Sequence, residues 1–517
     1  MLVHHYLEYY SRSNPLQPCV KQGERVFTYG DINRISNQIA NGFLAQGLQS
    51  GDRVAILGEN SVYHCLLMMA ASKTGMIAVS LNYRLAPVEL AFIINDSTAR
   101  ILILLDSQQE AHALLKPHLD ENITILTQGF AGGFDLDDWV DRQDDDHPGI
   151  NVSPTDAFLQ IYTSGTTGKP KGVISSHFNI LSLCSMNETA ISHRSNLGSS
   201  VIACSPLFHI GGASAVIQGI YSGQQILLHK MFDPVEVLDE IEKHAVQSLF
   251  LVPSMILALL QVPGVEDKDL SKLRQISYGA SPITESLLRR ALEVFQCDFV
   301  QKYGMTETTA TAVSLSAADH RRALESDPGL LLSCGRPNVG AQAKIVDASG
   351  SEVGCMEIGE VWLKSDTNMQ GYHNLPEATL ATLTDGWIHT GDAGYMDQEG
   401  YIYLKDRLKD MVVSGGENIY PVEVEQVLAK HAAVFDVAVI GVPDKKFGEA
   451  LFAFLVLRSG ADMELDQMIY FCRDKLAGYK IPRQMKIIDE LPRSPSGKVL
   501  KKDLRAPFWN DAERSIA

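Results

Sequence analysis

The sequence predicts an α/β protein: a large N-terminal region with two doubly wound sheets and a small β-barrel, then a small α+β C-terminal domain. Three observations point there. Apolar strand runs alternate with helical patterns in two successive blocks, the arrangement of parallel sheets covered by helices. After Cys334 short strands with alternating patterning take over, which reads as antiparallel barrel structure. The remaining C-terminal residues keep a strand–helix rhythm of their own. A chain of 517 residues has room for about three domains and a sizeable core.

Residues 1–50 read as helix, short strand, helix. Within Asp31–Leu44, Ile32, Ile35, Ile39 and Phe43 share one face, and Asp31 is the expected N-cap. Strands follow at Arg53–Leu57, Ile77–Leu81 and Ile101–Leu105, with a helix around Leu66–Ala71. Residues 129–152, rich in Gly and Asp, hold the run Asp141–His147. They read as a solvated linker rather than a metal site, because adjacent carboxylates repel unless held apart. His4, His5 and His64 have no partner motif and read as surface or satisfied core residues.

The second block comprises Gln225–Leu228, the helix Pro234–His244, Ser248–Val252 and Gln275–Gly279. Barrel strands are expected at Ala343–Val346 and Gly359–Lys364, and a hairpin turn at Asp397–Gly400. Pro421, suited to a first helical position, opens Val422–Lys430. Beyond it come strands near 435–442, 450–457 and 485–488. A helix near 463–477 carries the stripe Leu465, Met468, Ile469, Cys472 and Leu476, read as core.

Bulk properties exclude several functions. The net charge is −18 and no dense basic tract occurs, which argues against a nucleic-acid partner. Eight cysteines are spread without a Cys-x-x-Cys pair, as suits a reducing cytoplasm and neither a zinc site nor a disulfide framework. Residues 1–10 lack the basic and long apolar regions expected of a signal peptide, and no apolar run is long enough to be expected to span a membrane. Peripheral membrane contact and a homodimer stay open.

Chemistry concentrates in a few stretches. Tyr162–Gly172 holds three glycines, four Ser/Thr hydroxyls and two lysines directly after an apolar run. Backbone N–H groups, hydroxyls and positive charge in one small volume make a polyphosphate cradle. It is not the common P-loop, because Pro170 follows Lys169. The alternative is a flexible surface loop. Phe208-His209 before Gly211, Gly212 and Ala213 can wall a pocket for a flat or extended apolar group. Gly279-Ala280-Ser281 closes a strand where open α/β sheets bind ligands. In Tyr303-Gly304-Met305-Thr306-Glu307, an aromatic ring, a small residue, a hydroxyl and a carboxylate adjoin. Asp392 can accept hydrogen bonds from a diol, and Arg407 can reach the same group. Gly415 and Gly416 permit a close approach to the backbone, and Gly497 precedes an extended cation, Lys498.

Taken together and in this order, these motifs resemble the adenylate-forming enzymes: acyl-CoA synthetases, adenylation domains of peptide synthetases and beetle luciferase. The resemblance covers nearly the whole chain, and Asp406–Asn418 looks most like bacterial fatty acyl-CoA synthetases. It implies ATP and CoA as co-substrates, Mg²⁺ as cofactor, and a mobile C-terminal lid. The implied domains are 1–408 for acid and ATP and 409–517 for the lid, hinged at Lys409. ATP and AMP contacts would come from Thr163, Ser164, Gly165, Thr166, Thr167, Gly168, Lys171, Gly279, Ala280, Ser281, Tyr303, Gly304, Thr306, Asp392 and Arg407. Thr163 and Glu307 would hold the metal, and Phe208, His209 and Gly304 would border the acyl group. Gly415, Gly416, Phe447, Tyr479 and Lys480 would meet CoA. Lys498, Glu307 and His209 would be catalytic. The implied substrate is a medium- or long-chain fatty acid, with an aryl or short branched acid as alternative. Transfer to a carrier protein stays open, and a non-catalytic acyl-AMP sensor is disfavoured.

Overall fold

In the computed structural model the described residues are 1–130, 133–163, 169–190, 197–244, 246–281, 283–407, 410–414, 417–444, 446–473, 475–493 and 499–509. The chain divides into two compact units. The first is Met1–Leu331 with Gly335–Gln342 and Leu363–Ile388; the second is Leu332–Cys334 with Ala343–Trp362 and His389–Ala517.

Two mixed sheets build the first unit. One runs, strand by strand, Gly371–Tyr372, Lys171–Ser176, Ala157–Thr163, Ile77–Leu81, Arg53–Leu57, Ala99–Leu104, Thr124–Thr127 and Phe134–Asp135. Its parallel body is capped on one edge by the antiparallel pair nearest Ala157–Thr163. The other runs Arg336–Pro337, Val313–Leu315, Asp298–Tyr303, Gln275–Gly279, Ser248–Leu251, Ser200–Ala203, Gln225–Leu228, Pro18–Gln22 and Arg25–Thr28. Here too the centre is parallel and both edges are antiparallel. The doubly wound expectation therefore holds for the sheet centres, where parallel strands such as Arg53–Leu57 and Ile77–Leu81 are apolar and largely buried.

Helix Val62–Thr74 is buried along its whole length. Lys73 lies within this apolar layer and is satisfied by oxygens of the neighbouring helix Tyr29–Ala45. Its Nζ donates to Asn33 O (3.0 Å), Asn33 Oδ1 (2.8 Å), Ser36 Oγ (2.8 Å) and Asn37 Oδ1 (2.6 Å). Burial lowers its pKa to about 7.

Three local readings need correction. Residues 18–28 form a hairpin of two strands, not one. The N-cap of the next helix is Thr28; Asp31 is the third helical residue and closes a capping box with it. Within 129–152, Leu136–Asp141 is a helix whose Trp139 packs on Phe43, so that part is anchored rather than solvated. Composition obscured this, since one tryptophan outweighs several aspartates once its ring finds a core.

Strands Trp387–Met396 and Ile402–Arg407 pair antiparallel over Asp392–Met396, within the second unit, joined through the expected Asp397–Gly400 turn. That unit also holds the long pair Val434–Asp444 and Gly448–Leu457, with Gln484–Ile487 added in parallel. Met468, Cys472 and Leu476 are buried against that sheet, with Leu465 and Ile469 at the margin, as the stripe predicted. All eight cysteines are free thiols. Among the described residues, no helix is long and apolar enough to cross a membrane.

Candidate active site

The Tyr162–Gly172 stretch is the open end of a hairpin. Strands Ala157–Thr163 and Lys171–Ser176 pair with Thr163 opposite Lys171 and Tyr162 opposite Gly172. Gly172 packs under two side chains of the facing strand: a Cβ there would lie 2.7 Å from Gln160 Nε2 and 3.0 Å from Tyr162 Cζ. Ser164, Gly165, Thr166, Thr167 and Gly168 lie outside the described residues.

On the next strand over, Tyr372 pairs with Val173, and its ring lies 4.9 Å from the Lys171 ammonium, a cation–π distance. The Tyr372 hydroxyl donates to Glu307 Oε1 at 2.7 Å. Burial first, then the Glu307 carboxylate, pushes the Tyr372 phenol well above its ordinary pKa, which keeps it a proton donor. Glu307 is only 7% exposed and sits in the short 3₁₀ turn Thr306–Thr308, fixed by its carbonyl accepting from Met369 N–H. A lysine, a tyrosine and a carboxylate distant in sequence thus form one connected group beside Thr163. Glu307 offers a hard carboxylate oxygen of the kind that suits Mg²⁺, as would the Thr163 hydroxyl.

Tyr303 ends strand Asp298–Tyr303 and is half-buried, as are Gly304 and Thr306. A Cβ on Gly304 would stand 2.1 Å from Ala310 O, so this glycine serves the fold of its own turn. Gly279 is likewise forced, its Cβ position lying 2.3 Å from Lys302 O. Ala280 follows at φ +67° and is exposed, and Ser281 is half-buried. Phe208 is buried, edge-on to Tyr83 with ring centroids 5.6 Å apart and tilted over His209 at 4.6 Å. His209 is the N-cap of helix Ile210–Tyr221. The space expected beyond it is partly filled: Gly212 is in that helix's first turn, and a Cβ there would strike Pro206 O at 2.2 Å. Gly211 meets only Phe250, at an ordinary 3.7 Å.

In the second unit Asp392 is buried and is the register partner of Arg407, so the two functional candidates share one rung of a ladder. Phe447 is half-buried, with Arg483 Cζ 4.6 Å and Lys446 Nζ 5.0 Å from its ring centroid. Tyr479 is 44% exposed, whereas the Lys480 ammonium is held by both Glu423 oxygens at 2.8 and 2.7 Å. Lys409, Gly415, Gly416 and Lys498 lie outside the described residues.

Sequence reasoning gave no site role to Tyr372 or to Lys302, which immediately precedes Tyr303. Strand pairing places Tyr372 beside Lys171, and the packing of helix His177–Ala190 brings Asn187 to Lys302.

This arrangement is that of an adenylate-forming acid ligase, an AMP-forming enzyme of the acid–thiol ligase class. The chain belongs to the AMP-binding enzyme family, matching it over residues 7–373 and its C-terminal domain over 423–498. It is 37% identical over 98% of its length to the fatty acid–[acyl-carrier-protein] ligase ScoC of Streptomyces coeruleorubidus, covering 96% of that protein. It is 35% identical to a feruloyl-CoA synthase of an Amycolatopsis species, over 96% of this chain and 97% of that one. Its structure is similar to that of the o-succinylbenzoate CoA synthetase of Bacillus subtilis with its acyl-adenylate. The TM-score is 0.85 at 30% identity, covering 98% of both chains.

Proposed function

We propose that this protein is an ATP-dependent acid:CoA ligase acting through an acyl-adenylate on an acid with an extended acyl chain, of the medium- or long-chain fatty type. The carboxylate attacks the α-phosphorus of ATP, forming acyl-AMP and releasing pyrophosphate; the CoA thiol then attacks the acyl carbon and AMP leaves. No covalent enzyme nucleophile is needed, so catalysis is positioning and charge stabilisation. The observation that carries the reading is the Lys171–Tyr372–Glu307 group at the mouth of the Tyr162–Gly172 hairpin.

Within this proposal Thr163 and Glu307 hold Mg²⁺, which neutralises phosphate charge when bound. The Tyr372 hydroxyl orients the Glu307 carboxylate and leaves its second oxygen for the ion. Tyr303 stacks on the adenine beside Gly279–Ser281, and Asp392 and Arg407 take the ribose. Phe208 and His209 border the acyl carbonyl. Lys498 neutralises charge between the carboxylate and the α-phosphate. The lid, residues 409–517, turns at Lys409 for the second half-reaction and brings Gly415 and Gly416 to the pantetheine arm. Phe447, flanked by Lys446 and Arg483, and Tyr479 would meet the CoA nucleotide; Lys480 would first have to leave Glu423.

Pyrophosphate exchange with a panel of acids, followed by detection of AMP and acyl-CoA, tests the reading. Acid-dependent exchange and thioester formation are expected, and exchange with no acid at all would overturn it. A second acceptor is favoured by the similarity to ScoC: a carrier-protein thiol in place of CoA. Supplying each acceptor to preformed acyl-AMP separates the two. An aryl acid is the alternative substrate, given the likeness to a feruloyl-CoA synthase.

A further inference from the structure

Lys302 immediately precedes Tyr303 on strand Asp298–Tyr303 and is half-buried. Its Nζ donates to Asn187 Oδ1 at 2.9 Å, and among the described residues this is its one hydrogen-bond acceptor. Asn187 Nδ2 in turn donates to Gln218 Oε1 at 3.3 Å. Glu188 is drawn to the far side, its Oε1 accepting from Gln218 Nε2 (3.1 Å) and Ser222 Oγ (2.6 Å). The polar group therefore joins three elements: the strand ending in Tyr303, helix His177–Ala190, and helix Ile210–Tyr221, whose N-cap is His209.

On helix Ile210–Tyr221 the residues that escape full burial include Gly211, Ser214, Ala215 and Gln218, a single stripe at helical spacing. The opposite face, with Val216, Ile217 and Ile220, is buried in the core. The stripe starts beside Phe208 and His209 and leads to Gln218, roughly 13 Å along the axis from His209 at 1.5 Å rise per residue. It is made of small and polar residues, unlike the wall of a tunnel for a plain alkyl chain. At its end stands an ammonium with three donors and, among the described residues, one neutral acceptor, so a further acceptor can be taken up there. Burial lowers its pKa to about 8, as expected when no anion faces it directly.

We infer that Lys302, with Asn187 and Gln218, forms a second-carboxylate subsite, so that the acid activated here carries an anionic group on its acyl portion. The inference rests on the ligase reading above and narrows its substrate class from plain fatty acids to dicarboxylic acids. The first carboxylate lies at Phe208–His209 and reacts with ATP; the second pairs with the Lys302 ammonium and is left unreacted.

The test is pyrophosphate exchange with matched series of monocarboxylic, ω-hydroxy and α,ω-dicarboxylic acids from short to long, using the intact enzyme and its Lys302→Met and Lys302→Arg variants. We expect some dicarboxylic acid to exceed its monocarboxylic match at least tenfold in kcat/KM. Lys302→Met should erase that preference and raise activity on the plain acid, while Lys302→Arg retains the preference. Thermal melting of both variants checks that they fold, and the ratio between acids measured in one preparation is independent of its folded fraction. Equal or better use of the plain or hydroxy acid by the wild type would overturn the inference alone. So would a dicarboxylate preference that survives in Lys302→Met. No exchange with any acid would overturn the ligase reading, and the subsite with it.

Discussion

Lys73, fully buried, and Lys302, half-buried, both have pKa values lowered by burial, to about 7 and about 8. The protein treats them differently. Four oxygen acceptors surround the Lys73 ammonium, all from one helix, so its three donors are filled before any ligand arrives. Among the described residues the Lys302 ammonium has one acceptor, Asn187 Oδ1, which leaves donors for the second carboxylate inferred above. A depressed lysine pKa therefore marks burial, not function. The number of acceptors already supplied decides whether the residue is mortar between helices or a binding group.

Predictions follow from that contrast. The largest effect belongs to a third lysine, Lys498, which the proposed mechanism assigns to the reacting phosphate. A charge about 4 Å from a phosphoryl oxygen is worth roughly 4 kcal/mol at an effective dielectric near 20, on the order of 10³ in rate. Lys498→Ala should lose about that factor in pyrophosphate exchange while sparing thioester formation from supplied acyl-AMP. Equal loss in both half-reactions would contradict its assigned place.

Tyr372→Phe addresses the anionic counterpart. Glu307 would lose a hydrogen bond to a charged group, worth about 1.5–3 kcal/mol. Exchange should fall roughly tenfold or more, with a higher Mg²⁺ concentration needed for half-maximal rate; an unchanged Mg²⁺ dependence would show that Tyr372 does not position Glu307.

Lys73→Met strands the oxygens of Asn33, Ser36 and Asn37, each a loss of about 1–3 kcal/mol when buried and unpaired. Denaturant unfolding should show a clear drop in stability and no change in the ranking of acids. Lys302→Met should do the reverse: little or no destabilisation, and an altered ranking. If the two variants behave alike, the distinction drawn from their acceptors is wrong.

The smallest effect is in pH. Each lysine binds fewer protons folded than unfolded between its lowered value and 10.5, so stability rises with pH across that window. The penalty is fully present below about 7 for Lys73 and below about 8 for Lys302. Glu8 is the charged group acting on Lys73; Cys184 acts on Lys302, with Glu188 held in the same network. Unfolding measured from neutral to alkaline pH should show a shallower rise in each methionine variant than in the wild type.

The strand and helix order, the hairpin at Asp397–Gly400 and the core stripe of the Leu465–Arg473 helix were legible because each is set by local periodicity and turn chemistry. The Trp139 anchor and the Thr28 capping box were missed for the opposite reason: a distant core and a competing cap outweighed the local pattern. Glycines told a mixed story. Gly212 and Gly304 stood in stretches read as bordering a ligand, but their missing Cβ atoms make way for Pro206 and Ala310.

The sequence by itself determined the class of chemistry through the order of its motifs. The Gly/Ser/Thr-rich stretch, Tyr-Gly-x-Thr-Glu and a late Gly-Lys are each weak alone, but together and in sequence they resemble one family, and that order is written in the chain whatever packs beside it. Only the tertiary structure decided that Tyr372 grips Glu307 and that Lys302 is short of acceptors. Hydrogen bonds between residues far apart in the chain are set by strand register and helix packing, and neither quantity is written in any local stretch.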